Sequence, residues 1–256
     1  MSERTSYFSY SAAGSAIGGI LTSPSPLTVP TQAMASLSPS GGYGSATVEN
    51  FGIDGLLTIR KGLTTVQGDL KQTELTVTLE EIKIMNRLSI DRLVLHLTAQ
   101  TPPGAYEATI TPMGSSIEGL RVNGQEISLP CSAGIFDRYP TYTALESAYV
   151  EGALKGLIME PGTLGAPCRA ARFEGCEERT GSVKATLYSL ENLSCGLPVV
   201  NGGLRVKDFA TLYFGEFRIS KFARRLTMLR VELGCDVGGS LSLGDGSGNG
   251  QWEPPH

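Results

Sequence analysis

The chain has 256 residues, of which 41% are hydrophobic and 18% charged, with 32 glycines and a formal net charge of -4. That length buries one sizeable core or two modest ones, and the apolar share excludes disorder throughout. The acidic balance argues against non-specific nucleic-acid binding, which needs a basic field.

Residues 1–44 are rich in Ser, Gly, Ala and Pro and read as an extended N-terminal arm. Pro24, Pro26 and Pro30 enforce an extended path there, because proline fixes φ and biases the residue before it. Tyr7, Phe8, Tyr10, Ile17, Ile20 and Leu21 are the candidate contacts of an assembly arm that pairs with a neighbouring subunit; a plain linker is the alternative. The mildly apolar run 12–21, followed by Ala33-Met34-Ala35, imitates a signal-peptide core and cleavage site. Glu3 cancels the charge of Arg4 and three prolines intervene, so the segment is read as structural. No stretch reaches the length needed to cross a bilayer.

Residues 45–244 read as a β-rich domain. Val48, Phe51, Ile53, Leu57 and Ile59 mark its first strands. In Glu74-Leu75-Thr76-Val77-Thr78-Leu79-Glu80 apolar and polar residues alternate strictly, which gives a strand one dry and one wet face. The apolar parity changes at Glu80-Glu81, where Ile82 and Ile84 take over, and again near Asp91-Arg92. A bulge or corner is expected at both places. Asn123-Gly124, inside the run from Leu120 to Ile127, predicts a hairpin with a type I′ turn. Asn201-Gly202 predicts a second. Gly-Leu-Arg-Val occurs at 119–122 and 203–206, a faint hint of two related halves.

One helical excursion is expected at about 143–159, where Leu145, Ala148, Tyr149, Ala153 and Leu157 form a stripe and Thr143 and Glu146 have capping-box spacing. A loop-like region follows to Gly181. The last β block runs from Val183 to Leu243, and residues 245–256 read as an exposed Gly-rich tail. Within the block, Lys221, Arg224, Arg225 and Arg230 form the best local basic cluster. Leu226, Met228, Leu229, Val231 and Leu233 lie among them, so they read as the wet face of strands.

Candidate chemistry is sparse. His96 is the only internal histidine and has no nucleophile frame around it, so it reads as structural. Glu49, Asp54, Glu216 and Glu232 would have to converge in space to act as paired carboxylates. Asp245-Gly246-Ser247-Gly248-Asn249-Gly250 has the spacing of half a calcium loop but lacks the closing acid, so a flexible tail is preferred. The five cysteines contain no C-x-x-C. Cys168 with Cys176, and Cys195 with Cys235, are the candidate disulfides, and buried free thiols are the alternative. No metal, cofactor or catalytic residue is expected.

Four segments, Tyr10-Ser11-Ala12-Ala13-Gly14, Gly55-Leu56-Leu57-Thr58, the 120–127 hairpin and Leu226-Thr227-Met228-Leu229-Arg230-Val231, together resemble the bacterial β-rich choice-of-anchor surface proteins, particularly the group designated P. The resemblance implies a secreted or surface-displayed structural domain and carries over no functional residue.

The sequence is thus expected to form a mainly β protein, a β-sandwich or a curved solenoid-like sheet with one inserted helix. The expected role is structural: a self-associating extracellular or surface subunit, not an enzyme, joined into a homo-oligomer by β-edge pairing. A carbohydrate- or small-ligand-binding module, with Tyr213 or Tyr188 as an aromatic platform, is the first alternative, and a carboxylate-dependent glycan-processing enzyme is the second.

Overall fold

Leu75, Val77 and Leu79 all point to one side of their strand, and a second apolar surface must cover them. The computed structural model describes residues 8–38, 40–69, 71–102, 105, 107–151, 160–161, 182–191, 193, 195–220 and 223–252. Its elements begin with β1 (Phe8–Ser23), β2 (Leu27–Gln32), β3 (Ala35–Ser36), β4 (Gly42–Ile53), β5 (Leu57–Gly68), β6 (Gln72–Ile84) and β7 (Leu88–Gln100). Four short strands follow, β8 (Thr109–Thr111), β9 (Ser116–Glu118), β10 (Arg121–Val122) and β11 (Gln125–Glu126), and then α1 (Gly134–Arg138) and α2 (Tyr142–Val150). The chain ends with β12 (Glu160–Pro161), β13 (Ser182–Thr186), β14 (Val199–Val200), β15 (Gly203–Val206), β16 (Ala210–Ser220), β17 (Ala223–Gly234) and β18 (Gly238–Trp252).

These strands form two antiparallel sheets packed as a β-sandwich-like pair around one continuous core. Sheet I has the order β12-β13-β16-β17-β18-β1-β2, with β14, β15 and β3 alongside. Sheet II has the order β11-β10-β7-β6-β5-β4, with β8 and β9 flanking β7. The solenoid-like alternative is corrected, because the sheets face each other and do not coil. The expected hairpin is present: Asn123 and Gly124 take φ values of 51° and 80°, as a type I′ turn requires. Asn201-Gly202 makes the equivalent turn between β14 and β15. The Gly-Leu-Arg-Val echo precedes the first turn and follows the second, so the two copies are not structurally equivalent.

Among the described residues two short helices are present, α2 in the expected excursion and α1 before it. The described part of the 143–159 excursion is α2, and residues 152–159 lie outside the described residues. Its cap is also shifted. The Thr141 side chain accepts from the Ala144 N–H at 3.2 Å, in place of the Thr143/Glu146 box. Glu107 reaches the same end, accepting from Thr143 Oγ1 at 2.8 Å and from the backbone N–H groups of Tyr142 and Thr143. A carboxylate at a helix N-terminus satisfies orphan donors and suits the dipole. The helices close the sandwich, with Phe136 edge-on to Phe217 at 4.9 Å between ring centroids.

Both parity changes occur where expected, but neither is an inserted residue. Ile59 pairs with Ile82 and Lys61 with Glu80, so the register is unchanged across the skipped pair Arg60/Glu81. The skipped positions line up across sheet II as Asn50, Arg60, Glu81, Asp91 and Gly119. Alternate members have left-handed backbone, with φ of 50° at Asn50, 51° at Glu81 and 65° at Gly119. Sheet I carries the same crease through Ala33, Ala16, Gly244, Met228 and Gly215, with φ of 47°, 60° and 62° at Ala33, Gly244 and Gly215. Along each crease the buried side of every long strand switches parity.

The sheet I crease packs on sheet II two residues beyond that sheet's own crease, and small residues allow the approach. A Cβ on Gly244 would lie 2.6 Å from Leu93 Cδ2, and one on Gly62 would lie 3.0 Å from Ala16 Cβ. Gly14 and Gly246 give way in the same manner to Leu75, at 2.7 and 2.6 Å. Gly244 is therefore constrained twice, by its left-handed φ and by Leu93. Gly244→Ala is expected to cost about 2–4 kcal/mol in urea denaturation. Gly248→Ala, whose Cβ would meet nothing within 4 Å, is the control and should stay within about 0.5 kcal/mol.

Candidate functional site

The candidate assembly arm is not free. Residues 8–23 are β1, paired with β18 on one side and with β2 and β3 on the other. The backbone of Phe8 pairs with Trp252 and that of Tyr10 with Gly250. Ile17 and Leu21 are buried in the core, and Ile20 projects, at 60% exposure. Tyr7 lies outside the described residues. The expected tail is corrected in the same way, since residues 245–252 belong to β18. Asp245, the first residue of the half calcium loop, instead accepts from Arg225 Nη2 at 2.7 Å and from Thr227 Oγ1 at 2.9 Å. The division into arm, domain and tail at 44 and 245 therefore runs through one sheet. Deleting residues 1–40 should abolish cooperative folding of the whole β unit, read by circular dichroism and thermal melting; a folded truncated protein would restore the arm.

The cysteine pairing is also corrected where it is described. Cys195 and Cys235 are free thiols, and Cys235 Sγ faces Val237 O at 3.4 Å and Met85 Sδ at 3.9 Å. Cys168 and Cys176 lie outside the described residues.

His96 is clasped at both ring nitrogens, by Met113 O at 2.6 Å and Glu74 Oε1 at 3.0 Å. The Gln67 amide holds the Glu74 carboxyl below its ordinary range, and His96 adds to that. Ser115 Oγ accepts from the His96 N–H and donates to the His96 carbonyl. Thus His96 pins the turn at 112–115 to β7, and the neighbouring Ser115 hydroxyl bonds its backbone, not its ring.

Glu216 and Glu232 do converge, on the outer face of sheet I, but around a cation. Arg230 donates to both Glu216 oxygens, at 2.5 and 2.8 Å, and also to Glu232. Lys184 lies 3.3 Å from Glu216. The Arg230 guanidinium covers the Tyr213 ring at 3.8 Å, a cation–π contact that occupies the face a sugar would use. Tyr188, the other platform candidate, is buried at 4% exposure. Glu49 and Asp54 belong to β4 and the turn after it, in the other sheet.

Burial pushes the Glu216 carboxyl up, but Arg230 and Lys184 outweigh it, so its pKa is lowered overall. Glu216 therefore adds stability above its unfolded value and loses it as pH falls through the folded one. Arg230→Met leaves burial less opposed, so the loss should begin at higher pH. The variant should also cost about 1–3 kcal/mol at neutral pH. Urea melts between pH 3 and 8, compared with wild type, check both.

Among the described residues no group of three His, Cys, Asp or Glu is placed to hold a metal, and no helix is long and apolar enough to cross a membrane. A shallow trough of about 490 Å³ lies over the sheet II crease, lined by Arg60, Glu80, Glu81, Asp91 and Arg92. Its charges are mostly spent on one another. Arg60 bridges Glu80 and Glu81 at 2.5 and 2.6 Å, and Asp91 pairs with Arg121.

What remains open is β4. It pairs with β5 over its whole length, and among the described residues no strand takes its other edge. The other sheet edges are guarded. β2 contains Pro30, β12 contains Pro161 and Pro198 precedes β14. On the far side of sheet II the edge is broken into the two- and three-residue strands β8, β9 and β11. β4 has 12 residues, no proline and one charge, Glu49. Tyr43, Ser45, Thr47 and Glu49 project outward, while Gly44, Ala46 and Val48 are half-buried. The sequence marks the strand but not its openness; the signal was a weakly apolar, nearly uncharged run with small residues on both faces.

A family model described as "Domain of unknown function (DUF8256)" matches residues 8–159, more than half of the chain. The match takes in β1–β11 and both helices, while β12–β18 lie beyond it. No curated protein and no solved structure matches.

Proposed function

We propose, for a chain that belongs to the DUF8256 family, a structural role as a self-associating subunit that adds a strand across the open edge of β4. The observation that carries this is the contrast among edges. An unpaired row of N–H and C=O groups invites another strand, and folds blunt such rows with proline, charge or short strands. Every other edge among the described residues is blunted and β4 is not. Backbone pairing supplies affinity, and the outward side chains supply selectivity. Display outside the cell or on its surface, which the resemblance to choice-of-anchor proteins implies, belongs to the same reading.

Two observations weigh against the alternatives. An aromatic platform for glycans lacks its faces, since Tyr188 is buried and Tyr213 is covered by Arg230. A glycan-processing acid needs a raised pKa, and that of Glu216 is lowered. A non-catalytic role fits both.

Ser45 and Thr47 are exposed, so lysine at both leaves the monomer intact and charges the edge. Light scattering across a concentration series should show wild type rising in mass. The double variant Ser45→Lys/Thr47→Lys should stay monomeric with an unchanged melting temperature. A wild-type chain that is monomeric throughout the series would sink the proposal.

A further inference from the structure

We infer that the strand added to β4 is β4 of a second copy of this chain, running antiparallel about a two-fold axis at Ala46. The inference rests on the reading of β4 as the pairing edge.

The backbone sets the window. β4 is interrupted by left-handed residues at Gly42, with φ of 114°, and Asn50, with φ of 50°. Between them residues 43–49 are free to run flat, and the midpoint of that window is Ala46. A two-fold axis perpendicular to a sheet makes one residue face its own copy and keeps each face of the sheet continuous. Centring it on Ala46 uses the whole window.

The side chains then match. Tyr43 of one copy stands opposite Glu49 of the other, and the symmetry makes this pair twice. Tyr43 is 68% exposed. Among the described residues neither its hydroxyl nor the Glu49 carboxylate has a hydrogen-bond partner. A phenol donor and a carboxylate acceptor six positions apart on one face are left to solvent by the single chain, and this register pairs them. Ser45 stands opposite Thr47, a favourable cross-strand hydroxyl pair. On the inner face Val48 stands opposite Gly44, which brings no side chain of its own to the pair. Parallel in-register pairing would instead set Glu49 against Glu49, a like-charge pair with no cation on either strand.

The register is read by single-cysteine cross-linking of the full chain under mild oxidation, with cross-linked peptides identified by mass spectrometry so that native thiols are not confused with introduced ones. Directly opposed residues of an antiparallel pair have Cα atoms about 4.5–5.5 Å apart, within disulfide reach. Ala46→Cys is expected to link to itself. Ser45→Cys and Thr47→Cys are expected not to self-link, but to link to each other when mixed. Tyr43→Phe and Glu49→Gln should each weaken the dimer, by about tenfold, without lowering the melting temperature. If every single-cysteine variant self-links, pairing is parallel and this inference fails while the β4 edge stands. If a dimer persists in Ser45→Lys/Thr47→Lys and no residue of 43–49 links, the edge reading itself fails. A wild-type chain with no dimer at any concentration overturns both.

Discussion

The fold depends on one crease in each sheet, which keeps two long apolar faces in contact. Strands of 12 to 16 residues are long for a sandwich. Two such sheets keep their faces in contact only if each bends, and a bend that kept register and parity would turn half of every strand's apolar residues outward. The chain meets this by placing one left-handed residue on alternate strands along a single line in each sheet. The buried side changes phase on every strand at once, and the ladder keeps its count. The sheets approach closely where Gly62 meets Ala16 and Gly244 meets Leu93, so side-chain volume there is set by the approach of the two sheets.

Strain at the crease has local compensation. Asn50 and the glycines adopt left-handed backbone with little penalty. Glu81 and Ala33 do not, and of these Glu81 stands opposite Arg60, whose guanidinium spans Glu80 and Glu81. An exposed ion pair is worth little by itself. Here it ties two strands across the skipped backbone position, where the ladder offers least. Arg87 does similar work at the end of the sandwich. It donates to the carbonyls of Asp208 and Lys207 at 2.6 and 3.0 Å and lies over Phe209, so the β6–β7 turn is fastened to sheet I.

The sequence discloses what is local. The Asn-Gly turns follow from backbone chemistry, and the parity switches at Glu80-Glu81 and Asp91-Arg92 follow from period-two counting. It conceals what is collective. Ala12, Gly14 and Ala16 have the composition of a linker, and only the large Leu75 and Val77 across the core make them an inner face. For the same reason the glycines of β18 read as a tail, although their strand pairs with β1 at the centre of sheet I. The α2 cap was hidden because its carboxylate, Glu107, is supplied from 36 residues away. At the candidate edge the strand was legible and its isolation was not, since an open edge is a property of what fails to arrive beside it.

The same crease that organises the core also bounds the edge. A long, flat, uncharged edge is an invitation to unlimited stacking. On β4 the flat run stops at Asn50 because the sheet II crease passes through it, and at Gly42 because the chain is arriving from sheet I. Seven residues are enough for one antiparallel partner. A strand longer than the window, or shifted by two residues, would run backbone into a left-handed position and lose ladder bonds there. Pairing across such a window closes on itself, because a two-fold contact uses the same edge on both copies and leaves no second β4 to continue the array. A fold that guards its other edges with proline and short strands can leave this one open without becoming a template for fibres, so long as the crease holds.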